Sequence, residues 1–201
     1  MLLCLGYFLP TALPVFELPK PTGNYSIGSK YIHLKTGRDE EITENPNDKR
    51  ELMIKVWYPA NIKNEEKEAY LNDGDRISFA AKYALPSSTF NYLNYVETNT
   101  YKSPKIATEK FPVLIFSHGS YSKASGYYAI IEDIVSHGFI VLNINHTYES
   151  TGTLFPDGSL KLYNQDYDKK YISNQKTAEL AWKMQQDDNN AKNEEERLKA
   201  T

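Results

Sequence analysis

The chain has little sulfur, no concentrated positive charge and no apolar run long enough to cross a bilayer. Cys4 is the only cysteine in 201 residues, so no internal disulfide can form and the redox compartment stays open. The 23 Lys and Arg against 26 Asp and Glu leave a net charge of −3. No basic stripe tracks a phosphate backbone, which argues against nucleic acid as a partner. No His, Cys or carboxylate pair falls at a persuasive metal spacing. Met1 to Phe16 carries no charge and is strongly apolar only to Leu9, short of the roughly 20 residues a spanning helix needs. Pro10 and Pro14 would interrupt a helix, and no Lys or Arg precedes the run as in a signal peptide. The most consequential absence is chemical. No Gly-x-Ser-x-Gly occurs between Met1 and Thr201, so the strained strand-to-helix turn that presents a serine nucleophile is missing.

The composition is that of a soluble globular protein, with 40% hydrophobic and 24% charged residues. The length allows one domain with a sizeable core. The 16 Tyr supply large amphipathic side chains for pockets or half-buried surfaces. Residues 1–23 read as an apolar, then Pro-rich, segment and linker. The apolar part admits two readings: the tail of a longer membrane segment, or an arm packed on the domain. Residues 24–201 read as the folded part.

Lys30–Lys35 alternates polar and apolar, as a half-exposed strand does. Glu51–Tyr58 is a second strand, expected to stop at Pro59. The two form an antiparallel hairpin across a charged loop holding Asn45-Pro-Asn-Asp48. Asn61–Lys110 is irregular, with helical turns expected between Glu65 and Tyr83. It reads as an insertion over the site and not as a core element.

Pro112–Ser117 is the third strand. Its run Val113–Phe116 is apolar throughout, which predicts burial on both faces of a parallel sheet. A helix follows over Gly126–His137, with Ile130, Ile131, Ile134 and Val135 on one stripe. Gly138 closes it. Phe139–Ile144 is the fourth strand, so strand, helix and strand make a right-handed parallel βαβ unit. Thr147–Asp168 reads as a loop with a turn at Phe155–Gly158. A final helix, capped by Ser173 or Asn174, runs through Leu180, Ala181 and Met184.

The third strand ends abruptly in Ser117-His118-Gly119-Ser120. A His-Gly step at the end of such a strand is where α/β-hydrolases place half of their oxyanion hole. Gly119 would let the backbone turn sharply, so that the next N–H points into the site. A buried strand ending in an ordinary turn would look the same.

Taken in order, Lys20-Pro-Thr-Gly23, Leu52–Pro59, Phe111–Gly119, Ile131–Phe139 and Asn145–Ser150 resemble the plasma-type platelet-activating factor acetylhydrolases and their bacterial relatives. The resemblance runs from about Pro19 to Asp157, more loosely to Arg197. It implies an α/β fold, here an incomplete α/β-hydrolase: the antiparallel pair, then the βαβ unit, without the half that bears the nucleophile elbow. It further implies hydrolysis of short or oxidised acyl chains from phospholipids without calcium or any cofactor. By that resemblance Ser120 supplies an oxyanion donor through its backbone N–H. His118 and Gly119 would shape the loop. His146, at the end of the fourth strand, is expected to line the pocket or anchor its loop, and Tyr121 to line the pocket. The triad would lie downstream, so the chain alone is expected to be inactive. The N-terminal segment could touch a membrane surface, and a membrane-associated or secreted setting is favoured.

The other histidines have plainer readings. His33 lies on a half-exposed strand and is expected to be solvated. His137 fits a helix C-terminus. His146 precedes Glu149 at a strand end, but the catalytic His of this fold comes after the nucleophile. Ser120-Tyr-Ser-Lys123 and Lys35-Thr-Gly37 imitate penicillin-binding motifs in reversed order, with Ser-Asp-Asn missing, as chance matches do. Two other functions stay open: a non-catalytic module binding lipid or a partner chain, and a truncated product without activity.

Overall fold

The computed structural model describes residues 15–172 and 175–190. The apolar run at Met1–Leu9 and the cap at Ser173 or Asn174 lie outside the described residues. Contacts divide the chain into two compact units, one of residues 1–40 and 46–163, the other of residues 41–45 and 164–201.

The first unit is built on a long antiparallel pair. Strands β1 (Ser26–Asp39) and β2 (Lys49–Asn61) pair from Ser26↔Ala60 to Lys35↔Glu51. Pro59 does not stop β2, contrary to expectation. Its carbonyl accepts from Ala107 N–H at 2.9 Å. A residue's N–H and C=O point to the same side of a strand, so the missing donor faces Ala107 and the ladder to β1 loses nothing.

Asn61–Lys110 is a core element, which corrects the reading of it as a covering insertion. It holds β3 (Lys67–Ala69), α1 (Asp73–Lys82), a 3₁₀ segment (Ser87–Tyr95), β4 (Glu97–Lys102) and β5 (Lys105–Ile106). Strand β4 runs parallel to β1, and β3 antiparallel to β4. Leu71, Ala80, Phe90, Leu93 and Val96 form a core of their own. These residues come from a helix, a 3₁₀ segment and connecting turns, so no single period shows in the sequence.

The βαβ unit is present. Strand β6 (Val113–Ser117) leads through a 3₁₀ turn (Ala124–Tyr127) into α2 (Tyr128–Ser136) and then β7 (Ile140–Asn145), parallel to β6. β7 also pairs antiparallel with β2, giving the order β3-β4-β1-β2-β7-β6, with β5 against β2. Ile131 and Val135 of α2 are fully buried with Trp57 and Val141, while Ile130 faces outward. Helix α2 ends at Gly138, φ +90°, as a left-handed C-terminal glycine does.

The Lys20–Gly23 motif has a structural task. Thr22 N–H and hydroxyl both donate to Asp133 Oδ1, and Gly23 N–H donates to Ser136 Oγ. A Cβ on Gly23 would lie 2.1 Å from the Ser136 carbonyl oxygen, so only glycine fits there. The Thr147–Asp168 loop contains a small hairpin, β8 (Gly152–Leu154) with β9 (Leu160–Leu162), around the expected turn.

Strand β6 is not buried on both faces. It is the outermost strand, with Val113 55% and Ile115 72% exposed. A parallel strand is covered on both faces only where further elements pack beyond it, and among the described residues none does. An open apolar edge templates association. The 201-residue chain is therefore expected to self-associate through β6. Ile115→Lys should shift it toward monomer in sedimentation velocity with an unchanged circular dichroism spectrum. A wild-type chain sedimenting as a clean monomer would show the edge to be harmless.

In the second unit, Asn164 Nδ2 donates to the Ile42 carbonyl at 3.2 Å. Helical turns over 165–172 precede α3 (Gln175–Asn190), the expected final helix.

Candidate active site

Strands β6 and β7 run in register from Val113↔Ile140 to Ser117↔Ile144 and end on the same side of the sheet. Carboxyl ends of parallel strands are where open α/β sheets bind ligands. The two loops that leave these ends, 118–123 and 146–151, are joined by backbone hydrogen bonds. Tyr121 N–H donates to the Glu149 carbonyl at 2.8 Å, and Thr151 N–H to the Ser122 carbonyl at 2.7 Å.

The second loop has its own anchors. Glu149 and Ser150 N–H both donate to the His146 carbonyl. Thr147 Oγ1 donates to the Glu51 carbonyl. Arg50 bridges Glu40 and Glu149 at 3.1 and 3.2 Å and donates to the Thr147 carbonyl. Its guanidinium is held above its ordinary pKa: burial opposes this most strongly, and the two carboxylates outweigh it.

His118 is buried, with both ring nitrogens engaged by backbone. Nδ1 lies 2.9 Å from the Gly119 carbonyl oxygen and Nε2 lies 3.2 Å from His146 N. A carbonyl only accepts and an amide N–H only donates. Nδ1 therefore carries the proton and Nε2 accepts, which leaves neither nitrogen for proton transfer.

His146 meets Ser117, a contact that the linear sequence does not reveal. Ser117 Oγ lies 2.7 Å from His146 Nε2. Burial lowers the His146 pKa, and the neighbouring His118 adds to this. The lowered pKa favours the neutral ring, which can accept from the serine hydroxyl when its own proton sits on Nδ1. The distance suits a nucleophile and its base, yet no described residue supplies the orienting acid. The Glu149 carboxylate pairs with Arg50 instead, and no carboxylate bonds to His146 Nδ1 among the described residues. His33 is not simply solvated: its Nε2 lies 2.6 Å from Glu51 Oε2 and its ring packs on Phe155. His137 ends α2 with Nε2 2.9 Å from Thr22 Oγ1.

The sharp turn after β6 falls two residues later than expected. Gly119 does not take the left-handed conformation; Tyr121 does, with φ +55°. Ser122 N–H closes on the Gly119 carbonyl at 3.1 Å. A four-residue turn with positive φ at its third residue is the pattern of a type II turn. Ser120 is its second residue, and among the described residues its N–H meets no protein acceptor. The Tyr121 ring stacks on Tyr163 at 4.0 Å with planes 21° apart. Lys82 Nζ lies 4.1 Å from the centre of that ring and donates to the Tyr121 carbonyl at 2.9 Å.

Among the described residues no group of three or more His, Cys, Asp or Glu is placed to hold a metal ion. No helix among them is long and apolar enough to cross a membrane.

Residues 11–200 match the family described as platelet-activating factor acetylhydrolase, isoform II. The chain is 28% identical over 145 residues to the platelet-activating factor acetylhydrolase of Cavia porcellus, covering 69% of this chain and 30% of that protein. It is 24% identical over 136 residues to that of Canis lupus familiaris, covering 65% and 28%. The chain thus spans less than a third of the length of these curated relatives. Among solved structures, a ferulic acid esterase from Streptomyces cinnamoneus superposes with a TM-score of 0.64 at 22% identity, covering 86% of this chain and 47% of that one. The sheet is accordingly part of an α/β-hydrolase fold.

Proposed function

Because the chain belongs to the platelet-activating factor acetylhydrolase isoform II family, a family of ester hydrolases, we propose that it supplies the oxyanion loop of a serine-dependent lipid esterase. The substrates would be phospholipids carrying short or oxidised acyl chains. The observation that carries this reading is the Ser120 N–H, which has no acceptor among the described residues and sits on a loop at the carboxyl end of β6.

Attack on an ester carbonyl turns its oxygen into an oxyanion. A backbone donor already aimed at that oxygen stabilises the charge without reorganising during the reaction. In this reading Ser120 N–H is one donor, and His118 keeps the loop in shape through Gly119 and His146. Gly119 contributes open space, since nothing lies within 4 Å of where its Cβ would be. His146 and Tyr121 border the site. Residues 1–201 contain no nucleophile elbow, so nucleophile, base and acid come from sequence beyond them in an active enzyme. There the serine attacks, a histidine takes its proton, and the protonated histidine returns it to the leaving alcohol. Residues 24–201 then form the N-terminal part of the hydrolase domain, and the apolar N-terminal segment offers contact with a lipid surface.

The test uses the 201-residue chain with p-nitrophenyl acetate and a 2-acetyl phospholipid analogue. No turnover above buffer is expected, and no serine adduct with a fluorophosphonate by mass spectrometry. An adduct at Ser117, the serine that has a histidine partner, would place a working nucleophile inside this chain and overturn the reading.

A further inference from the structure

We propose that Lys82 and Tyr163 clamp Tyr121 in its left-handed conformation and so act as positioning residues that aim the Ser120 N–H. The proposal rests on the oxyanion reading given above. A type II turn requires positive φ at its third residue, a place that glycine takes without steric cost. Here a bulky tyrosine occupies it at φ +55°. Such a conformation persists only where surrounding contacts over-determine it.

The backbone N–H, the carbonyl and the ring of Tyr121 are all engaged. Its N–H donates to the Glu149 carbonyl at 2.8 Å, and its own carbonyl accepts from Lys82 Nζ at 2.9 Å. The same ammonium lies 4.1 Å from its ring centre, and Tyr163 stacks on the ring at 4.0 Å. One lysine therefore grips both the backbone and the side chain of a single residue. If Tyr121 relaxed to negative φ, the peptide joining it to Ser120 would flip, the Tyr121 N–H would swing away from the Glu149 carbonyl, and the loop that carries the Ser120 N–H would lose that anchor. Lys82 sits in the last turn of α1. The irregular 61–110 region thus reaches the site through one side chain.

Glycine provides the discriminating measurement, because it adopts φ near +55° unaided. On the 201-residue chain, amide hydrogen exchange at Tyr121 should quicken by about tenfold or more in Lys82→Met, as the clamp's hold is lost. Protection in β2 and β7 should stay unchanged. In an enzyme completed by joining this chain to the downstream half of a relative, Lys82→Met should lower kcat by about tenfold with KM nearly constant, a fraction of the loss for deleting a donor outright. Introduced into a Tyr121→Gly background, the same Lys82→Met change should have little effect, because a residue at ease in the turn needs no clamp. An equal kcat loss in both backgrounds, or none in either, would overturn the clamp. Ser120→Pro in the same enzyme separates the two ideas. If that variant keeps full turnover, the oxyanion reading itself fails; if it is impaired while Lys82→Met is not, only the clamp fails.

Discussion

In an enzyme completed by joining this chain to the downstream half of a relative, Ser120→Pro is expected to reduce ester turnover by roughly 10²–10³, the usual effect of losing one oxyanion donor, or about 2.7–4 kcal/mol of transition-state stabilisation. Ser120→Ala is expected to leave turnover nearly unchanged. The contrast isolates the atom. Alanine removes the hydroxyl and keeps the N–H; proline removes the N–H. The position suits the test, since proline is common at the second residue of a type II turn, and Ser120 N–H has no acceptor to lose among the described residues. Circular dichroism of both variants establishes that they fold. If alanine is as damaging as proline, the hydroxyl matters and the backbone assignment is wrong.

The largest effect on stability is expected beneath the sheet, at Lys55. This lysine is 1% exposed and pairs with Glu68 at 2.7 Å. It donates to Tyr128 OH at 2.8 Å, and its ammonium lies 3.8 Å from the Trp57 ring centre. Ser29 Oγ completes the group by donating to Glu68. A buried pair of this kind adds little net stability as a whole, because desolvation offsets attraction. Removing one partner strands the other charge and costs about 3–5 kcal/mol, a large part of a typical margin of about 5–15 kcal/mol. Glu68→Gln is therefore expected to lower unfolding free energy by about that amount at neutral pH. Adding Lys55→Met to it should restore much of the loss.

The pH dependence carries a definite sign. Burial holds the Lys55 pKa below its ordinary value, against the opposing pull of Glu68. Without Glu68 it falls further. Between that lowered value and about 10.4, the folded state binds fewer protons than the unfolded one. Stability of Glu68→Gln should then rise as pH climbs through that window. Urea titrations at pH 7 and pH 9.5 read this directly. A Glu68→Gln chain as stable as wild type at pH 7 would show that Lys55 is not stranded.

Lys55 also shows why part of the structure was hidden. Within Glu51–Tyr58 it sits among apolar neighbours, yet local pattern cannot tell a paired buried lysine from a solvated one. Its partner Glu68 lies on β3, in the stretch where periodicity fails. The surroundings of His33 are hidden for the same reason, since Glu51 and Phe155 reach it across the hairpin and from a distant turn. The pairing of Ser117 with His146 depends on the register of two parallel strands, which no local signal encodes.

What the residues settled by themselves was local and chemical. The alternation and apolar runs of the four main strands, the Ile131, Ile134 and Val135 face of α2, its glycine stop and the parallel crossover follow from side-chain period and backbone sterics. The lack of Gly-x-Ser-x-Gly within residues 1–201 is likewise a property of the sequence. Tertiary structure decided what depends on partners distant in the chain. It made β6 an exposed edge, because a strand's burial is set by what packs beside it. It drew the 61–110 region into the sheet, because a strand buries its apolar face only where another element offers one. It moved the turn after β6 from Gly119 to Tyr121, because Lys82, Glu149 and Tyr163 converge there to hold a conformation that tyrosine alone would abandon.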